Sequence, residues 1–307
     1  MSYVLRGRTQ AITVAAACAA LSLLLPPMSY VSGAVIALAT LRHGAREGGL
    51  VIAGSGLLAG ALTLLVVGSV YPVVVFLALT WVPVWMLALV LRATADQGMV
   101  LLVAGALGAI ALGAVHLMLT DPAAWWDALL QGFVDDALQG AGPTLASGAG
   151  KEQLSALIDN LAPIMTGLVV AGTVLGLVLT LFLARWWHAL VDNPGGFGRE
   201  FRSLTLDRRF APLALAIVLA TLMANSLTGG LAGEAAFIIV VLYMLQGLAV
   251  VHSVVNTRGA SNGWLVGLYL LLFLLPPQVM LLLALTGFTD VWMNLRARAS
   301  NQSGQGP

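Results

Sequence analysis

Hydrophobic residues in this chain fall into long uncharged blocks, and the polar residues collect between them. The clearest block is Pro163–Ala184, PIMTGLVVAGTVLGLVLTLFLA, about the length that crosses a bilayer once as an α-helix. Further blocks are Ala11–Leu25, Val31–Leu41, Gly49–Val67, Pro72–Leu91, Met99–Leu119, Ala211–Leu227, Ala235–Val251 and Trp264–Phe288. Pro26-Pro27 separates the first two, and Pro276-Pro277 interrupts the last. Paired prolines end a helix or turn it. The pattern predicts an all-α polytopic transmembrane bundle of about 8–10 membrane segments, with hairpins at the Pro-Pro steps.

Asp121–Ala162 follows a different rhythm. Trp126, Leu130, Phe133 and Ala137 recur at three-to-four spacing, offset from Asp127, Asp135 and Asp136. Leu154, Leu157 (or Ile158) and Leu161 repeat the theme after the Gly/Ala/Ser-rich stretch Gly140–Gly150. Such spacing predicts two short amphipathic helices on a membrane surface. They would form a lid over a cavity or a linker between two halves of the bundle.

Charge gives the blocks a direction. The segment before Pro163 holds six acids and one basic residue, Lys151, whereas Arg185, Arg199, Arg202, Arg208 and Arg209 follow Ala184. Cytoplasmic loops carry the Lys/Arg excess, so this helix should run from outside to inside. Arg6 and Arg8 before Ala11–Leu25 also resemble the start of a secretion signal. Pro26-Pro27, and no small-residue cleavage site, follows Leu25, so the block reads as a permanent span. The last block is open to two readings. A single kinked span would put Arg296 and Arg298 outside, and a re-entrant hairpin would keep them inside. With both Pro-Pro steps as hairpins, every one of the 14 Lys and Arg residues except Lys151 falls inside. Charge bias therefore favours hairpins and two cytoplasmic termini. The expected organisation is one integral membrane domain over residues 1–307: helices in 1–120, an external segment in 121–162, helices in 163–298 and a polar tail in 299–307.

Composition agrees with the blocks. The chain is 60% hydrophobic and 9% charged, with mean hydropathy +0.96, whereas a water-soluble domain carries roughly 25% charged residues. A net charge of +1 argues against nucleic acid as a partner; membrane lipid is the expected surrounding. The single cysteine, Cys18, allows no internal disulfide. There is no phosphate-binding Gly-x-x-x-x-Gly-Lys loop, no His-Glu-x-x-His and no Cys/His cluster. Gly195-Gly196-Phe197-Gly198 reads as a turn. These absences point away from an enzyme, a metal site or a cofactor.

Polar groups at membrane depth carry the remaining chemistry, because they are costly in lipid. His116, Asn225, Glu234 and Tyr71 lie near outward ends of blocks and are the candidate substrate-binding set; Glu234 leads, since a buried carboxylate needs a partner. Tyr243, Gln246 and His252 lie deeper. At the inner ends, Arg42, His43, Arg46, Arg199, Glu200, Arg202, Asp290 and Arg296 form a candidate docking surface for a partner, or a belt meeting anionic lipid. Gly56-x-x-x-Gly60 and Gly172-x-x-x-Gly176 are expected to let helices pack closely within the bundle.

Several landmarks resemble the YybS-like family of bacterial membrane proteins: Leu41-Arg42-His43-Gly44 after the first hairpin, Gln246-Gly247-Leu248-Ala249, and Gly287-Phe288-Thr289-Asp290-Val291-Trp292 before Arg296. That family is grouped with the substrate-binding S-components of energy-coupling-factor (ECF) transporters. The resemblance implies a small-solute-binding protein of the bacterial inner membrane, working with a transmembrane coupling subunit and an ATPase. S-components meet their coupling subunit through small residues four apart, a spacing shown here by Ala11, Ala15 and Ala19. The alternative is a non-catalytic membrane scaffold that recruits proteins through its basic loops.

Overall fold

The computed structural model describes residues 7–141, 149–223 and 229–303, and every regular element among them is a helix. The N-terminal blocks become α1 (Arg8–Leu21), α2 (Met28–His43) and α3 (Ala45–Val67). A π-turn, Leu77–Trp81, joins α4 (Tyr71–Phe76) to α5 (Val82–Thr94), and α6 (Gln97–Met118) follows. α7 (Pro122–Ala141) and α8 (Ala149–Asp192) come next, then the short α9 (Gly196–Ser203). The chain closes with α10 (Phe210–Met223), α11 (Gly230–Thr257), α12 (Gly263–Leu274), α13 (Pro276–Met293) and α14 (Leu295–Ser303). α3, α4–α5, α6, α8 and α11 are long and apolar enough to cross a membrane. The chain is thus an all-α membrane protein.

The π-turn has a local cause. Pro83 has no N–H to donate to the Leu79 carbonyl, so the regular ladder fails there. Val82 N–H donates to Leu77 O instead, five residues back. The extra residue turns Trp81 into the core, where it is fully buried. Trp81 Nε1 donates to Ser32 Oγ at 3.0 Å, and Ser32 donates to Ala15 O at 2.8 Å. One polar relay therefore ties α1, α2 and the π-turn together.

Ion pairs and caps show which ends share a face. Arg8 pairs with Glu47, Arg92 Nη1 donates to Leu41 O at 2.6 Å, and Arg42 pairs with Asp192 at 3.4 Å. Arg296 donates to the carbonyls of Arg202 and Leu204 at 2.9 and 2.6 Å. Arg8 and Arg296 thus sit at the same end of the bundle as Arg42, Arg92 and Arg202. Both Pro-Pro elements are hairpins, which settles the open reading of the last block. Lys151 lies at the opposite end, against Asp135 at 3.1 Å.

Segment 121–162 departs from expectation. α8 runs unbroken for 44 residues through Pro163, about 66 Å at 1.5 Å per residue. The expected second amphipathic helix and the following span are therefore one rod. Gly229 touches Pro163, and Gly167 touches Glu234, which marks the end of α11 on that rod. The 14 residues of α8 before Pro163 project about 21 Å further. α7 packs along this projection as a helical hairpin. Its buried stripe uses Trp126, Leu130 and Val134, half-covered against Ile158 and Ala162, while Phe133 is 65% exposed.

The expected glycine seams also differ. A methyl at Gly60 or Gly172 would meet nothing within 4 Å, so neither motif is a line of backbone contact. The close approach is between α11 and α13. A Cβ on Gly247 would lie 1.9 Å from Leu283 O, and one on Gly287 would lie 2.1 Å from Tyr243 O.

Candidate functional site

Polar side chains gather in an open cleft on the bundle's flank, an outer pair and an inner network. The cleft lies between α2, the π-turn and α8 and encloses about 420 Å³. Ser29 and Tyr30 come from the first turn of α2, Thr80 from the π-turn, and Thr173 and Thr180 from α8. Gly172 and Gly176 leave room for it: nothing approaches a Cβ at Gly172, and one at Gly176 would stand 3.1 Å from the Tyr30 ring. Val169, on the wall, lies six residues inward of Pro163, about 9 Å along the helix.

The cleft has a definite hydrogen-bonding character. Thr173 donates to Val169 O at 2.8 Å and Thr180 to Gly176 O at 2.7 Å. Ser29 donates to Pro26 O at 2.6 Å. A hydroxyl has one proton and two lone pairs, so these oxygens keep acceptor capacity. No Asp, Glu, Lys, Arg or His lines the space. Such a lining can hold a small uncharged molecule rich in hydrogen-bond donors.

His116 and Glu234 form the outer pair. His116 Nε2 and Glu234 Oε2 are 2.7 Å apart, and Glu234 is only 3% exposed. Next to Gly167, which touches Glu234, Thr166 accepts from Trp126 Nε1 at 2.9 Å. The base of the α7–α8 hairpin is therefore anchored beside this pair. Of the four residues expected to form an outer pocket, the structure brings His116 and Glu234 together. Tyr71 is 72% exposed on α4 and its N–H caps onto Ser69 Oγ at 3.2 Å. Asn225 lies outside the described residues.

The inner network ties the last helices to the loop after α9. Gln246 Oε1 accepts from Leu206 N at 3.0 Å, and Gln246 Nε2 lies 3.5 Å from Asp290 Oδ2. Asp290 Oδ2 meets Arg296 at 3.2 Å, and Asp290 Oδ1 accepts from Leu295 N at 2.9 Å. Burial lowers the Arg296 pKa from its ordinary value, while Asp290 raises it. Asp290 and Arg296, expected to dock a partner, instead bind each other inside the protein.

The remaining docking candidates divide. Ala11, Ala15 and Ala19 are buried, in a helix packed on α2 and α3. Ser32 and Ser55 donate to the carbonyls of Ala15 and Ile12 there. The alanine face is occupied by this chain's own helices. Arg42 pairs with Asp192, and Arg199 donates to Asn193 Oδ1 at 3.2 Å. Arg46 is exposed and Arg202 is half-buried. Among the described residues no group of three or more His, Cys, Asp or Glu could hold a metal ion.

Sequence reasoning passed over Ser29, Tyr30, Thr80, Thr173 and Thr180. One signal was present. Thr173 and Thr180, seven apart, share a face of an otherwise aliphatic span with Gly176. Thr80 had no such signal, because its direction depends on the π-turn.

No curated protein and no solved structure matches the chain. The family described as "Predicted membrane protein (DUF2232)" matches residues 135–291, which takes in α8 with its wall of the cleft, Glu234, Gln246 and Asp290. That match covers just over half of the chain, and the protein therefore belongs to the DUF2232 family of predicted membrane proteins.

Proposed function

We propose that this membrane protein binds a small uncharged solute in the cleft between α2, the π-turn and α8, as the non-catalytic recognition subunit of a transport system. The observation that carries this reading is a cavity of about 420 Å³ walled by five hydroxyl side chains at membrane depth. Ligand sites of this size class are concave, mostly apolar and carry a few placed polar groups. Hydroxyls that already donate to backbone carbonyls keep lone pairs for another donor, so a lining of this kind favours an occupant that donates hydrogen bonds. The resemblance to ECF S-components points the same way, toward a transmembrane coupling subunit and an ATPase as partners.

In this reading the basic end faces the cytoplasm of a bacterial cell, with the protein in its inner membrane and both termini inside. The clustering of Arg8, Arg42, Arg92, Arg202 and Arg296 at one end, opposite Lys151, supports that orientation. The alanine face of α1 is filled, so a coupling subunit would meet the exposed arginines, Arg46 and Arg199 among them. Those same exposed arginines favour a second reading, in which the protein is a scaffold recruiting soluble partners.

Thermal unfolding in detergent against a panel of vitamins and metabolites separates the two. A solute that binds the native state raises the melting temperature, and the rise grows with the logarithm of its concentration above Kd. Gly172→Leu is expected to fill the cleft and abolish that shift. It should leave the melting temperature without solute near that of the parent, because nothing stands within 4 Å of the new Cβ. An equal shift in parent and Gly172→Leu would move the solute elsewhere, and no shift from any compound would favour the scaffold.

A further inference from the structure

A second groove opens toward lipid between α8, α9, α11 and α12 and encloses about 390 Å³. Its deep wall is aliphatic, from Leu179, Leu183, Leu245 and Leu248. Its upper wall is aromatic. Phe182 meets Phe197 and Phe201 with ring centroids 5.7 Å away in each case, and Phe201 meets His252 at 5.4 Å. His252 Nε2 and Tyr269 Oη lie 2.9 Å apart and join α11 to α12 across the floor. Trp186, 45% exposed, stands at the rim. An indole at such a rim is characteristic of the membrane–water boundary.

The rim also carries a cation. Arg202, on α9, lines the groove and enters no ion pair among the described residues. Three other arginines at this end are matched: Arg42 with Asp192, Arg185 with Glu200, and Arg296 with Asp290. The Arg202 backbone is fixed, since its carbonyl accepts from Arg296, so its side chain is free to serve another group. The groove is therefore apolar below and cationic above, with the step at the membrane boundary.

We propose that an anionic phospholipid occupies this groove, with its phosphate on Arg202 and an acyl chain along the aromatic and aliphatic walls. A guanidinium binds a phosphate through two parallel N–H groups. Basic pockets between transmembrane helices on the positively charged side are a known setting for anionic headgroups. A zwitterionic lipid brings its own cation to the same rim and loses that advantage. The bound lipid would line all four helices, α8, α9, α11 and α12, and so add to the ring and hydrogen-bond contacts that already join them. The proposal does not depend on the solute cleft: its α8 residues, 179, 182, 183 and 186, lie about a third of a turn from those of the cleft at 100° per residue.

The test is thermal unfolding of the delipidated full chain in detergent with phosphatidylglycerol, phosphatidylcholine of the same acyl chains, or inorganic phosphate added. Phosphatidylglycerol is expected to raise the melting temperature by several degrees, with little response to the other two. Arg202→Gln should remove the rise, Arg202→Lys should keep part of it, and Arg209→Gln, an exposed arginine outside the groove, should keep all of it. Arg202→Gln alters no backbone contact, so its melting temperature without lipid should match the parent. Equal rises with both lipids, a full rise in Arg202→Gln, or a rise with phosphate alone would each overturn the assignment.

Discussion

Gly247 and Gly287 show how much a single missing methyl can decide. Each would place a Cβ about 2 Å from a backbone atom of the opposite helix. Backbone cannot step aside as a flexible side chain can. Gly287→Ala is therefore expected to cost about 1–3 kcal/mol through overpacking, seen as a lower melting temperature in detergent. Gly60→Ala is the contrasting case, with open space around its Cβ; alanine gains roughly 1 kcal/mol over glycine in helix propensity, so that variant should unfold no earlier than the parent. The GxxxG motifs were visible in the sequence, yet the seam lies between single glycines 40 residues apart. One-dimensional spacing registers neighbours on one helix and is blind to a pair that meets across two. The same limit applies to Asp290 and Arg296. Their charges made them look like surface residues, and only the fold of the loop after α9 encloses them.

At the scale of elements, the α7–α8 hairpin is held in part by side-chain bonds. Trp126 Nε1 to Thr166 Oγ1 is one of them. Trp126→Phe should lose about 0.5–1.5 kcal/mol, the usual net worth of one hydrogen bond. Proteolysis of the hairpin in the intact protein should quicken, which a timed digest measures. The sequence showed that this segment is helical and amphipathic, because periodicity of apolar residues is a local signal. It did not show that Leu154–Leu161 continues into the span, since a proline at 163 reads as a boundary. In α8 the helix passes through it, as transmembrane helices do when neighbours satisfy the freed carbonyl. The two Pro-Pro steps, by contrast, were legible as turns, for there two successive residues lack the N–H.

For the whole molecule, charge is distributed by end. Cysteine labelling checks the orientation directly, in a background with Cys18→Ala, since that residue is the single native cysteine. Lys151→Cys should react with an impermeant maleimide in intact cells, and Arg209→Cys only after permeabilisation. The reverse pattern would invert the proteins's orientation and relocate the proposed partners. The placement of Arg8 beside Glu47 and Arg296 beside Arg202 has a consequence for how such a chain can be multiplied. With both arginines at one end, the path between them crosses the bilayer an even number of times, re-entrant hairpins leaving the count unchanged. Two copies joined head to tail by a short soluble tether would therefore insert with the same polarity, as a parallel duplication, whereas a protein with an odd count would have its second half forced upside down.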